Sequence, residues 1–231
     1  MAGPQVPSRG GTRGNGTPVP RPRARAAPTR GPVPTLPARQ THPYHRLALD
    51  LAARPRLVAI DIEGTGYKPV DGRSVIELAA VEIAGGALTG ASWVSRFNPD
   101  APMNPVAIGI HGIRPAQLEG EPRFAERAGD LLAFLDGAPM VFHGAGDDLR
   151  AINLELAAAG LPPLAAPAAC TVKLAQSLWP KQPARLSVVL ERLGIDAGAR
   201  KRRRGHAALS DATLAAKAWL AMVAMLRQPQ P

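Results

Sequence analysis

The chain has 231 residues and one cysteine, Cys170, which excludes an intrachain disulfide and fits a reducing, cytoplasmic setting. No apolar run reads as long enough to span a bilayer, and no apolar stretch follows the N-terminal charges as a secretory signal requires. The net charge of +10 points to polyanions, but eight arginines and no acid in residues 1–49 carry +8 of it. The run Arg200-Lys201-Arg202-Arg203-Arg204 adds five more, which leaves the rest of the body mildly acidic.

In chain order, residues 1–49 form an Arg/Pro/Gly-rich tail with almost no large apolar side chains. Such a segment cannot offset its ordering entropy by burial and is expected to be disordered. Its arginines can neutralise nucleic-acid phosphates without sequence preference, or the tail is a solvated extension. Its Pro and Gly density argues against an amphipathic transit helix. Residues 50–228 are expected to fold as one domain. Segments 57–62, 75–84 and 91–97 read as strands, with Gly85-Gly86 as a turn, and their short connections predict an antiparallel meander. A helix follows, with Phe124, Ala128, Leu131, Leu132 and Leu135 at helical spacing. Residues 140–142 read as a short buried strand, followed by a helix through about Ala159. Further helices are expected over 171–178, 185–193 and 208–226, so the pattern predicts an α/β layer fold with a mixed sheet and no internal repeat.

Three acidic stretches stand out. In Leu57-Val58-Ala59-Ile60-Asp61-Ile62-Glu63 an apolar strand ends in two carboxylates, which lie on one face because they are two residues apart. Like charges this close repel unless a cation sits between them, and hard divalent cations take such oxygen ligands. An edge strand with its acids in water is the plainer reading. In the second stretch, Leu149, Ile152 and Leu156 mark the inner stripe of a helix. Asp148 lies roughly 70° from that stripe and Asp147 roughly 170°, so Asp148 can border the sheet while Asp147 points outward as a cap or solvated acid. In the third, Asp211 heads an apolar helix face formed by Leu214, Ala215, Ala218, Met222 and Met225. Charged residues are rarely placed there without a partner, although Ser210 as cap and Asp211 as dipole partner is the alternative. His206 is expected on the loop before that helix.

The motifs Asp61-Ile62-Glu63-Gly64-Thr65-Gly66, His143-Gly144-Ala145-Gly146-Asp147-Asp148 and His206-Ala207-Ala208-Leu209-Ser210-Asp211 together resemble those of the DEDDh 3′–5′ exonucleases. The likeness is to the epsilon (proofreading) subunit type of bacterial DNA polymerase III and covers roughly residues 55–225. Departures fall at Gly64, Gly144 and Asp147, where that family usually carries Thr, Asn and Phe, and at Val106, where it sometimes carries Glu. The resemblance implies a ribonuclease H-like fold, a mixed five-stranded sheet of antiparallel meander plus parallel strands flanked by helices. It implies Asp61, Glu63, Asp148 and Asp211 as ligands of two Mg²⁺ or Mn²⁺ ions, and His206 as general base. Thr65, Gly66 and His111 would contact the terminal nucleotide. The implied partners are single-stranded 3′ ends of nucleic acid, DNA in particular, and a DNA polymerase, with no membrane.

Two rival readings remain at this level. Asp61-Ile62-Glu63-Gly64-Thr65 also looks like the nucleophile loop of haloacid dehalogenase-type phosphatases, although the second acid there is Asp. A non-catalytic nucleic-acid-binding protein with this fold, using its arginine tail for contact, is the other.

Overall fold

The computed structural model describes residues 42–66, 74–197 and 207–228. In chain order they form α1 (Pro43–Ala52), β1 (Arg56–Gly64), β2 (Val75–Ala84), β3 (Ala87–Arg96), α2 (Pro105–His111), a 3₁₀ turn (Pro115–Gln117) and α3 (Phe124–Leu135). Then come β4 (Met140–Phe142), α4 (Ala145–Ala158), β5 (Ala168–Cys170), α5 (Thr171–Leu178), α6 (Leu186–Arg192) and α7 (Ala208–Arg227). The five strands make one mixed sheet in the order β3-β2-β1-β4-β5. Strands β1, β2 and β3 are an antiparallel meander, whereas β4 runs parallel to β1 and β5 parallel to β4. This is the expected α/β architecture, with β5 added at an edge where the local sequence pattern showed no strand.

The meander turns between β2 and β3 through Gly85 (φ 57°) and Gly86 (φ 77°). Two successive positive φ values are what a two-residue hairpin with the native strand twist demands, and glycine adopts them without a Cβ clash. Strand β1 is central, and Leu57, Val58, Ala59 and Ile60 are all buried because both of its faces are covered. Val58, Ile60 and Ile62 pack with Leu78 of β2 and with Phe124, Leu131, Ile152 and Leu156 of α3 and α4. On the opposite face Leu57 and Ala59 pack with Ile83 and with α5, α6 and α7, through Leu174, Leu178, Val189, Trp219 and Met222.

Helix α7 corrects the expectation that no apolar run is long enough to cross a bilayer. It is 20 residues long, and its most apolar 18-residue window, with a mean hydropathy of 1.3, meets that length and composition. Its apolar residues instead serve the core, since Ala212, Ala215, Ala218, Trp219 and Met222 are buried in the fold.

Helix α1 crosses the tail–domain boundary drawn at residues 49 and 50. Pro43 stands at its first position, His42 accepts the Tyr44 N–H through Nδ1 at 3.1 Å, and Ala48 and Leu51 are buried. The Tyr44 hydroxyl accepts the Cys170 N–H and so joins α1 to the end of β5. Residues 1–41 lie outside the described residues.

Candidate active site

The carboxyl end of β1 carries the first two acids. Antiparallel pairing sets Asp61 opposite Ala79 and Glu63 opposite Glu77, with an irregularity between Glu63 and Gly64 that ends the regular ladder. Paired residues share a face, so Asp61, Glu63, Ala79 and Glu77 all project toward the side covered by α7. Glu63 is buried and Asp61 partly so. Just beyond, Thr65 is 2% exposed: its N–H donates to Ser74 O at 2.9 Å, and its Oγ1 accepts the Ser74 N–H at 3.0 Å. Its carbonyl accepts the Asn104 N–H at 2.8 Å. The backbone groups of Thr65 therefore fasten the end of β1, and Gly66 follows them, half-buried.

Helix α7 brings the third acid to the same face. Ala208 and Ala212 cluster with Ala79 and Val81 of β2, which lays the first turn of α7 across the strand paired with β1. Asp211, within that turn, is 3% exposed. The alternative in which Ser210 caps this helix does not hold. The N-cap is Ala207, which makes no side-chain cap, and the Ala208 N–H donates to Glu77 Oε2 at 2.9 Å. A carboxylate from β2 thus does the work that a local Ser or Asp would otherwise do. Glu77 received no site role from the sequence; its glutamate within an otherwise apolar strand was the available signal.

The fourth acid comes from the loop after β4. Parallel pairing sets Val58 beside Met140 and Ala59 beside Val141, so continuing the register brings His143 level with Asp61. Helix α4 starts two residues later, with Asp147 and Asp148 in its first turn. Asp147 is exposed and Asp148 partly buried, as their different helical phases predict. His143 Nδ1 lies 2.7 Å from Thr171 Oγ1, and the Thr171 hydroxyl donates to Phe142 O at 3.2 Å.

His111, the last residue of α2, is 6% exposed, and its Nδ1 accepts the Ile113 N–H at 3.0 Å. The neutral ring therefore carries its proton on Nε2. Helix α2 is fixed beside the site because its cap, Asn104, donates to Thr65 O and accepts the Val106 N–H through Oδ1 at 2.8 Å. His206 and the 200–204 basic run lie outside the described residues. Among the described residues no group of three or more His, Cys, Asp or Glu side chains is gathered closely enough to hold a metal ion. The donor set is all carboxylate oxygen, the chemistry that hard divalent cations select. A cavity of about 340 Å³ lined by Leu57, Ile83, Trp219 and Val223 lies at the opposite end of β1 and takes no part in this grouping.

A family model described as Exonuclease matches residues 58–219. The DNA polymerase III epsilon subunit of Haemophilus influenzae is 31% identical over 175 residues, spanning 72% of this chain and 67% of that protein. The epsilon subunit of Escherichia coli is 30% identical over 175 residues, spanning 72% and 71%. Among solved structures, the nuclease domain of 3′hExo, a DEDDh family member bound to rAMP, superposes with a TM-score of 0.63 at 20% identity, covering 75% of this chain and 94% of that one. Exonuclease X in complex with 5′ overhanging duplex DNA gives 0.60 at 23% identity, covering 75% and 95%. These structural likenesses establish the ribonuclease H-like fold, and neither the phosphatase nor the non-catalytic reading survives the family match. Nucleases of this kind are metal-dependent. The chain belongs to the exonuclease family, as a 3′–5′ exonuclease domain that hydrolyses phosphodiester bonds.

Proposed function

We propose that the protein removes 5′-mononucleotides one at a time from single-stranded 3′ ends of DNA, using two Mg²⁺ or Mn²⁺ ions. Asp61, Glu63, Asp148 and Asp211 would hold those ions. Once bound, the ions supply an acidified water and neutralise charge on the departing oxygen. The observation that carries the reading is the placement of the first turn of α7, with buried Asp211, over the strand face from which Asp61 and Glu63 project.

The chain's own groups divide the remaining work. His206 would take the proton of the attacking water, since a histidine side chain exchanges protons near neutral pH. His111 offers its Nε2–H to an oxygen of the terminal nucleotide, while Gly66, set by the fastened Thr65, leaves room for the sugar. In-line attack on the last phosphodiester leaves the phosphate on the released nucleotide and a 3′-hydroxyl on the shortened strand.

Similarity to epsilon subunits supports association with a DNA polymerase and a cytoplasmic location. The test of the activity is digestion of a 5′-labelled single strand, with Mg²⁺ and with EDTA. A ladder shortening from the 3′ end only when Mg²⁺ is present supports the proposal. Digestion unaffected by EDTA rejects the metal roles, and equal rates on RNA reject the preference for DNA.

A further inference from the structure

We infer that Glu77 is a positioning residue for the candidate metal-binding carboxylates: held by Arg96, it fixes the first turn of α7, and Asp211 with it, against the face of β1 that bears Asp61 and Glu63. The inference rests on the metal-ligand reading above and extends it to two residues outside the three acidic motifs.

The sheet register makes the relationship. Glu63 pairs with Glu77, and Glu77 pairs with Arg96, so the three form one row across β1, β2 and β3 on a single face. Two glutamates directly opposite in an antiparallel pair repel. Glu77 is nevertheless 6% exposed, and both of its oxygens are used. Oε1 accepts from Arg96 Nε at 2.8 Å, and Oε2 accepts from the Ala208 N–H at 2.9 Å.

The second of these bonds matters for Asp211. A helix start leaves its first N–H groups without intrahelical partners, and Ala207 has no side-chain oxygen to supply one. Glu77 supplies it from another element, with its negative charge at the favourable end of the helix dipole. The same turn is closed by the Asp211 N–H donating to Ala207 O at 3.1 Å. Two hydrogen bonds thus connect β2 to the backbone of Asp211. Arg96 neutralises Glu77 and fixes its rotamer, so Glu77 acts as a tether and not as one more anion beside Glu63.

Tether and anion make opposite predictions for Arg96. If Glu77 served only as negative charge, removing Arg96 would strengthen the attraction for cations. If Glu77 is a tether held by Arg96, removing Arg96 loosens it and weakens binding.

The experiment is calorimetric titration of the full chain with Mn²⁺ alone, for wild type, Glu77→Gln and Arg96→Met, with thermal unfolding of each. Both variants are expected to bind Mn²⁺ about tenfold more weakly. Turnover should recover toward wild type at saturating Mn²⁺, with KM for a labelled single strand unchanged. Unchanged Mn²⁺ affinity with only a lower Tm would reduce Glu77 to a structural residue, and tighter binding in Arg96→Met would overturn the tether. Arg96, partly exposed on β3, keeps the test open if Glu77→Gln does not fold. A wild-type chain showing neither Mn²⁺ binding nor metal-dependent hydrolysis would instead remove the ligand assignment itself.

Discussion

His143 Nδ1 and the Thr171 hydroxyl are hydrogen-bonded at 2.7 Å, and the same hydroxyl lies 3.2 Å from the Phe142 carbonyl oxygen. Thr171 is fully buried at the junction of β5 and α5, so this short chain of bonds holds the exit of β4 to its parallel neighbour. The exit leads within two residues into α4, the helix bearing Asp148. Thr171→Val keeps the shape and removes the hydroxyl. It should cost about 1–2 kcal/mol, because the bonds of the buried hydroxyl to His143 and to the Phe142 carbonyl are lost. Thr171→Ser should recover most of that loss. Urea unfolding of the three proteins measures it, and equal midpoints for Val and wild type would contradict the bond's contribution.

The carboxylates give a second prediction with opposite signs for activity and stability. Asp61→Asn or Asp211→Asn should lower metal-dependent hydrolysis by about a hundredfold or more, since a metal contact contributes several kcal/mol to the transition state. In EDTA the same variants should unfold at or above the wild-type Tm, because the cost of keeping a negative charge out of water is gone. Loss of activity together with a large fall in Tm would mean that these acids hold the fold and not the reaction.

The acidic motifs were legible because each rests on a local rule. Asp61 and Glu63 follow four apolar residues and share a strand face; Asp147 and Asp148 are separated by helical phase, one exposed and the other partly buried. Strand β5 was not legible. Ala168-Ala169-Cys170 is too short to show alternation, and it becomes a strand only by pairing with Met140, Val141 and Phe142. Helix α1 was hidden by the composition of the tail before it and by a cap made through a histidine ring nitrogen. Helix α2 carried an ordinary signal, Asn104 followed by Pro105, in a stretch of only seven helical residues. Glu77 was read only as part of a strand because its partners, Arg96 and Ala208, lie 19 and 131 residues away.

Glu155 gives a pH-dependent prediction. Burial pushes its carboxyl above the ordinary glutamate range; the hydrogen bond from the Val75 N–H opposes this, and the charge of Asp100 adds to it. A raised acid contributes stability that is complete below its unfolded pKa and is lost as pH rises through the folded value. Glu155→Gln keeps an oxygen for Val75 and cannot ionise. Its Tm should therefore equal or exceed wild type at pH 8, with the difference shrinking as pH falls toward 4. Parallel Tm curves over that range would show that ionisation of Glu155 carries no penalty.

Arg56, at the start of β1, ends the helix on the other face of the sheet. Its Nη1 donates to Leu135 O at 2.8 Å and its Nη2 to Phe134 O at 2.6 Å, which satisfies carbonyls at the C-terminus of α3. Its Nε donates to Glu82 at 2.5 Å, and that contact holds the Glu82 carboxyl below the ordinary range, with help from Thr89. Because Glu82 and Arg56 both keep part of their surface in water, the ion pair itself should contribute little. The helix-end bonds should dominate: a cation at the negative pole of α3 meets acceptors that lack intrahelical donors. Arg56→Met should therefore cost about 1–3 kcal/mol, whereas Glu82→Gln should cost clearly less. A depressed acid contributes stability above its unfolded pKa and loses it as pH falls through the folded value, so the Glu82→Gln difference should fade below pH 4 while the Arg56→Met difference persists. Chemical unfolding at pH 7 and pH 3.5 separates the two, and equal losses in both variants at pH 7 would place the energy in the ion pair instead.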